Sequence, residues 1–232
     1  MNNDIFLSPE QVALEQQRFI VKVYGYMAGA LGITGLVAMF TASSAAMLNF
    51  IFGTPGVLIG LVIAELLLVI SLGGFIRRLS AFAATAIFIA YSILNGLTLS
   101  AILLVYTSES VASTFFITAG LFGLMSAYGY YTRTDLTKLG NILLMALIGV
   151  ILASIVNIFM HSQAMYWIIT YAGVFIFTGL IAYDTQKIKS MSVLGQVGAE
   201  EERKGAIIGA LSLYLDFINL FLMLLRFFGR RR

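Results

Sequence analysis

The chain has no cysteine, one histidine and two prolines, and charged residues make up only 11% of it. Without cysteine there is no disulfide scaffold, thiolate nucleophile or Cys-based metal site. A single imidazole, His161, excludes a haem held by two histidines, a His-rich zinc centre and a histidine relay. Average globular chains carry roughly 25% charged and about 45–50% apolar residues. Here 60% of the residues are hydrophobic, which is the composition of a membrane protein. At roughly 20 residues per span, 232 residues hold about seven helices and their turns. The net charge of +3 then reads first as an orientation signal, and no nucleic-acid partner is expected.

The gaps between charged residues count the spans. Residues 23–64 and 139–183 are uncharged, and each stretch is long enough for two helices and a turn. Polar and breaker residues mark the turns at Thr41–Ser44, Gly53–Gly56 and Met160–Gln163. The predicted spans are 19–40, 54–73, 80–105, 112–131, 139–160, 164–186 and 205–228. The fold class is an all-α polytopic membrane protein with one seven-helix transmembrane domain over 19–229. It is flanked by an N-terminal tail, 1–18, and a basic tail, 230–232. A cleaved signal peptide is not expected, because the first apolar segment exceeds an h-region and has no small-residue cleavage pattern. In the tail, Ser8-Pro9-Glu10-Gln11 reads as an N-cap, a proline at the first helical position and a capping box, which suggests a short interfacial helix.

Basic residues orient the bundle. Arg18, Lys22, Arg77, Arg78, Arg133, Lys138, Lys187, Lys189, Arg203 and Lys204 all fall on one side, and the first, third and fifth loops carry none. A cytoplasmic N-terminus in a multi-pass membrane protein is expected. Arg226, Arg230, Arg231 and Arg232 resist this pattern. Either the last segment crosses and strands them outside, or it re-enters; its length of 24 residues, mostly apolar, favours a crossing. Gly25/Gly29, Gly56/Gly60 and Gly205/Gly209 are small-xxx-small pairs suited to close helix packing. Tyr128, Tyr130, Tyr131, Tyr166 and Trp167 suit interfacial anchoring, and His161 suits an outside loop.

Three acids interrupt the spans: Glu65 midway along the second, Asp184 near the cytoplasmic end of the sixth and Asp216 at the centre of the seventh. Each costs at least about 2.5–3.5 kcal/mol in hydrocarbon unless partnered or hydrated. Ser212, Asp216 and Asn219 are spaced i, i+4, i+7 and share one face, so the seventh helix should be central and surrounded by the other six. Tyr91, Asn95 and Thr98 make a weaker stripe on the third helix, and Asn157 is polar on the fifth. If Asp184 and Asp216 face each other, like charge and low dielectric make them titrate as a unit, a proton-sensitive dyad. Arg77 or Arg78, at the same membrane level, could pair with Asp184 and close a pathway. Helix-bonding glue, or snorkelling for the arginines, is the plainer account of these residues.

The segment from Ala210 through Tyr214, Asp216 and Asn219 to Gly229 resembles the signature last helix of the Bax inhibitor-1 (transmembrane Bax inhibitor motif, TMBIM) family, bacterial branch. Ala182-Tyr-Asp-Thr-Gln-Lys-Ile188 resembles its sixth-helix motif, and Val23-Tyr-Gly-Tyr-Met27 its entry into the first. The resemblance implies a pH-sensitive calcium leak channel controlled by an aspartate dyad, which maps to Asp184 and Asp216. A second-helix Arg latch maps to Arg77 or Arg78. It also implies a link to cell-death suppression in eukaryotes and to a membrane-bound ATP-dependent protease in bacteria. Calcium wants six to eight hard oxygens, so the two carboxylates with Asn219, Tyr183 and carbonyls or waters would form a transient site, with Ser212 and Glu65 also lining the pathway. No resident cofactor is expected, calcium being the permeating ion. The partners expected are the lipid bilayer, calcium and protons, and the chain should be monomeric.

No enzyme is expected. An intramembrane aspartyl protease is imitated by Tyr183-Asp184 and Asp216. However, Leu213-Tyr-Leu-Asp216 lacks the Gly-x-Gly-Asp element of that class, and prolines at 9 and 55 leave no Pro-Ala-Leu motif. A non-conducting adaptor of a membrane protease, using residues 1–18 as its contact, and a proton-coupled carrier are the other readings.

Overall fold

A backbone in hydrocarbon must satisfy its own polar groups, which leaves helices or closed barrels. A computed structural model describes residues 9–191 and 198–232, and its elements are helical. They are α1 (Pro9–Ser43), α2 (Ala45–Gly53), α3 (Val57–Phe75), a 3-10 turn (Ile76–Arg78), α4 (Ala81–Val105), α5 (Ser108–Tyr131), α6 (Thr137–Met160), α7 (Gln163–Met191) and α8 (Gly198–Phe228). Seven of these, all but α2, are long and apolar enough to span. They match the spans expected from the sequence.

Two details differ. Where a separate interfacial helix is expected, residues 9–18 form the first turns of α1, because neither proline nor glycine interrupts residues 10–24. The capping residue Ser8 lies outside the described residues. The first loop also contains a helix of its own. Ser44 caps α2 by accepting a hydrogen bond from the Met47 amide at 3.4 Å, and Gly56, at φ 87°, enters α3 in a conformation that favours glycine.

The ends of the helices define two faces. On the face where α1 begins, Lys22 pairs with Glu202 at 2.9 Å, and the Ala81 amide donates to Glu200 Oε1 at 3.3 Å. On the opposite face, the chain after α8 pairs antiparallel with the α4–α5 connection through Tyr106 and Arg231. One continuous helix of 31 residues, about 46 Å long, therefore runs from one face to the other. Re-entry of the last segment is excluded.

α8 is the axis of the bundle. Two-thirds of its apolar window is buried, against none for α6 and 6% for α3. α1, α4, α5 and α7 pack directly on α8, while α3 packs outside on α4 and α6 outside on α7. The core holds Tyr214, Leu213, Leu220 and Leu225 from α8 against Val23, Phe88 and Ile181. Tyr214 is wholly buried, and its hydroxyl lies 2.7 Å from Thr34 Oγ1, which in turn donates to the Ser92 carbonyl at 2.9 Å. This chain of bonds ties α8 to α1 and α4.

The closest helix approaches use glycines other than the small-xxx-small pairs. Gly25, Gly29, Gly56 and Gly60 face open space, and only Gly209 of the third pair is tight, where an added methyl group would lie 3.1 Å from Ile188. Among the bare backbones that meet a neighbour are Gly96 on α4, against the Thr34 carbonyl of α1, Gly129 on α5, against the Ala182 main chain, Gly140 on α6, against the Tyr183 ring, and Gly179 on α7, against the Leu143 side chain of α6.

Candidate functional site

Gly129 and Gly140 approach α7 from two sides at Ala182 and Tyr183, the two residues before Asp184. Gln186, two residues after it, accepts from the Leu136 amide at 2.8 Å and donates to the Thr134 carbonyl at 2.9 Å. Lys189 donates to the Tyr130 carbonyl at 2.8 Å, with its ammonium 4.5 Å from the centre of that ring. The stretch of α7 carrying Asp184 is thus fixed by both α5 and the α5–α6 loop. In that loop, hydrogen bonds from Thr137 to Asp135, including its amide at 2.9 Å, hold the Asp135 carboxyl below the usual range.

α6 packs on α7 but stands off α8, and the space between the three helices is a cavity of about 490 Å³. Asp184 from α7 and Ser212, Asp216 and Asn219 from α8 line it, with Ser154 from α6. The i, i+4, i+7 stripe on α8 therefore points into one chamber with the α7 acid, as its spacing indicates. Asp216 is 5% exposed, and its Oδ2 has no hydrogen-bond partner among the described residues. A buried carboxyl oxygen without a partner requires a proton, a water or a cation. The rest of the wall is apolar, Phe177 and Met223 among aliphatic side chains, so these few groups are its polar lining.

Other sequence candidates lie elsewhere. Glu65 on α3 accepts from Thr98 Oγ1 on α4 at 2.9 Å, which satisfies it outside the cavity. Tyr183 turns its ring to Gly140 and Lys187 rather than to the chamber. Arg77 and Arg78 form the 3-10 turn after α3, with the Arg78 guanidinium 6.0 Å from the Phe75 ring centre. Among the described residues neither makes an ion pair with Asp184. Asn157 closes the turn after its own helix, its side-chain oxygen accepting from the Ser162 amide at 2.9 Å, and His161 sits exposed beside it at φ 51°. Ser154 is the polar lining residue that sequence reasoning missed. A lone serine in an otherwise apolar span carries no signal of its own.

This architecture, a buried central helix in a bundle of seven long apolar helices, defines an α-helical membrane protein, here with two acids lining one cavity. The model of the family described as "Inhibitor of apoptosis-promoting Bax1" matches residues 16–232, and the chain belongs to that Bax inhibitor-1/TMBIM family. The chain is 53% identical over 219 residues to inner membrane protein YbhL of Escherichia coli (strain K12), covering 93% of each chain. It is 44% identical over 223 residues to a protein of Borreliella burgdorferi, covering 96% of each. It is 38% identical over 234 residues to a membrane protein of Streptococcus pyogenes serotype M6, covering 99% of each.

Proposed function

We propose that the protein is a cation leak pathway of the inner membrane, with calcium as the permeating ion, gated by protonation of Asp184 and Asp216. The observation that carries this reading is the single chamber shared by Asp184, Asp216, Ser212 and Asn219, with Asp216 Oδ2 buried and unpartnered. Two carboxylates and a few neutral oxygens are too few for a tight calcium cage, which suits passage rather than storage. Adding protons to the pair removes the charge that draws a cation in. Protonation of Asp184 also weakens its attraction for an arginine. The latch belongs to a second state in which Arg77 or Arg78 reaches Asp184; the arrangement described above is unlatched. The ten basic residues on the face where α1 begins support a cytoplasmic N-terminus. The protein acts as a conduit and not as an enzyme: the α8 acid lacks the glycines that shape a protease site.

The test is calcium flux into liposomes holding the purified protein, from about pH 5 to about pH 9, with Asp184→Asn and Asp216→Asn compared. Both variants should change the flux and flatten its pH response. Unchanged flux with an unchanged pH response in both would overturn the reading.

A further inference from the structure

Four arginines gather where α8 ends: Arg226, Arg230, Arg231 and Arg232. Arg226 is engaged within the bundle, its guanidinium 5.0 Å from the Tyr166 ring centre and donating to Thr170 Oγ1 at 3.4 Å. The last three lie on a strip of main chain that is itself pinned. The Thr107 amide donates to the Arg230 carbonyl at 2.9 Å, and the Arg232 amide donates to the Val105 carbonyl at 3.0 Å. The Arg232 guanidinium reaches Ser108 Oγ at 3.4 Å. Their charges are therefore displayed at a defined place beside the α4–α5 connection. Glu109 is the acid nearest in sequence to this connection, and among the described residues it makes no ion pair with the strip. Cations at a membrane surface that outnumber the acids beside them attract anionic lipid.

An apolar groove of about 730 Å³ leads down from this strip, and Arg232 lines its outer end. Leu31 and Ala38 of α1, Leu103 of α4 and Phe115 of α5 form its sides, and Phe217 and Phe221 of α8 its floor. Its wall on α1 runs from Leu31 to Ser43, about 18 Å along the helix, close to the roughly 15 Å depth of one hydrocarbon leaflet. Exposed side chains at its rim, Met39 and Phe116, open it sideways toward lipid. A guanidinium at the headgroup end of a leaflet-deep apolar slot has the layout of a phospholipid: an anion at one end and a hydrocarbon chain below.

We propose that this groove binds one anionic phospholipid, its phosphate held by Arg232 with Arg230 and Arg231 beside it, and one acyl chain seated between α1, α4 and α5. Arginine suits this role because its planar fork donates two parallel hydrogen bonds to phosphate oxygens. The site also accounts for basic residues on the face that carries almost no others.

The experiment uses the full chain in detergent and reads lipid binding by native mass spectrometry. Phosphatidylglycerol, phosphatidylcholine with the same acyl chains, and glycerol phosphate without chains are compared. Phosphatidylglycerol should bind about tenfold more tightly than phosphatidylcholine. The double variant Arg231→Gln/Arg232→Gln should lose that preference, weakening phosphatidylglycerol more than phosphatidylcholine, whose phosphate charge is offset by its own choline. Ala112→Phe, which fills the groove from its exposed side, should weaken both lipids, and Asp216→Asn should leave both unchanged. The arginine variant is judged by the ratio between two lipids, in which a general loss of stability cancels, and Ala112→Phe is compared with the unaltered chain at equal folded fraction. Equal binding of the two lipids by the unaltered chain overturns the proposal, as does a preference that survives the arginine changes. Glycerol phosphate binding as tightly as the lipid would mark an anion site without a chain, and would also overturn it.

Discussion

The ring of Tyr183 lies against the bare backbone of Gly140, and the next residue along α7 is Asp184. A methyl group at position 140 would meet the ring atoms Cγ and Cε2 at 2.5 and 2.6 Å, closer than real contacts allow. Gly140→Ala should therefore destabilise the protein by about 1–3 kcal/mol, the usual cost of overpacking. Thermal unfolding in detergent measures it. In a Tyr183→Ala background the same change should cost much less, because the two residues touch. A penalty that persists there would mean the ring is not what Gly140 accommodates.

Gly129 presents a harder case. Its neighbour is the Ala182 main chain, which cannot rotate aside as a ring can. Gly129→Ala should lower the unfolding temperature more than Gly140→Ala does, and Tyr183→Ala should not relieve it. Since both glycines set where α7 lies just before Asp184, flux in liposomes should fall in both variants even after correction for the folded fraction.

These glycines also explain what the sequence could and could not disclose. The stripe Ser212, Asp216, Asn219 was legible because its period fixes a face, and an acid at mid-span has few places to go. Asp184 was legible for the same reason. Glu65 carried the same signal, yet the chamber does not include it: any acid in a span stands out, and only the partner, Thr98 on another helix, tells a satisfied acid from a free one. The glycine pairs misled in a similar way. Gly129 has Met125 and Arg133 four residues either side, and Gly140 has Leu136 and Leu144, so neither fits a small-xxx-small pattern. Their fit depends on the neighbouring helix, which periodicity within one helix does not report. The stand-off of α6 from α8 was equally invisible, because a uniformly apolar span shows no preferred face.

Tyr214→Phe separates the core of α8 from its chamber. Its hydroxyl bonds Thr34 Oγ1 inside the bundle, and residues 214 and 216 point about 160° apart around the helix. Losing one buried neutral hydrogen bond should cost about 0.5–1.5 kcal/mol. The pH response of calcium flux should stay as in the unaltered protein. A shifted response would place Tyr214 on the conduction route.

Acid should loosen the α5–α6 loop. The Asp135 carboxyl accepts from the Thr137 amide and is held below its ordinary range, so the contact is present above the unfolded carboxyl's titration. It is lost as pH falls through the lower, folded value. Hydrogen exchange at the Thr137 amide should accelerate over that acid window. In Asp135→Leu, exchange should be faster at neutral pH and lack the acid transition. The effect is confined to the loop, because Asp135 is exposed to solvent.

Whether ions pass between α6, α7 and α8 can be tested from α6, without touching either acid. Ser154 lines the chamber, and its hydroxyl donates only to the Val150 carbonyl of its own helix at 2.7 Å. Ser154→Phe removes that bond at little cost and projects an aromatic ring into the cavity. Unfolding should shift by under about 1 kcal/mol, because the cavity has room for the ring and the hydrogen bond is local. Calcium flux should drop several-fold, and adding Asp216→Asn should deepen the block less than it lowers flux in the unaltered protein, since both act on one passage. Ser154→Ala removes the hydroxyl without filling the space and should conduct normally. Full flux through Ser154→Phe would move the pathway away from α6 and leave the Asp184 and Asp216 chamber as a proton-binding site off the route of the ion.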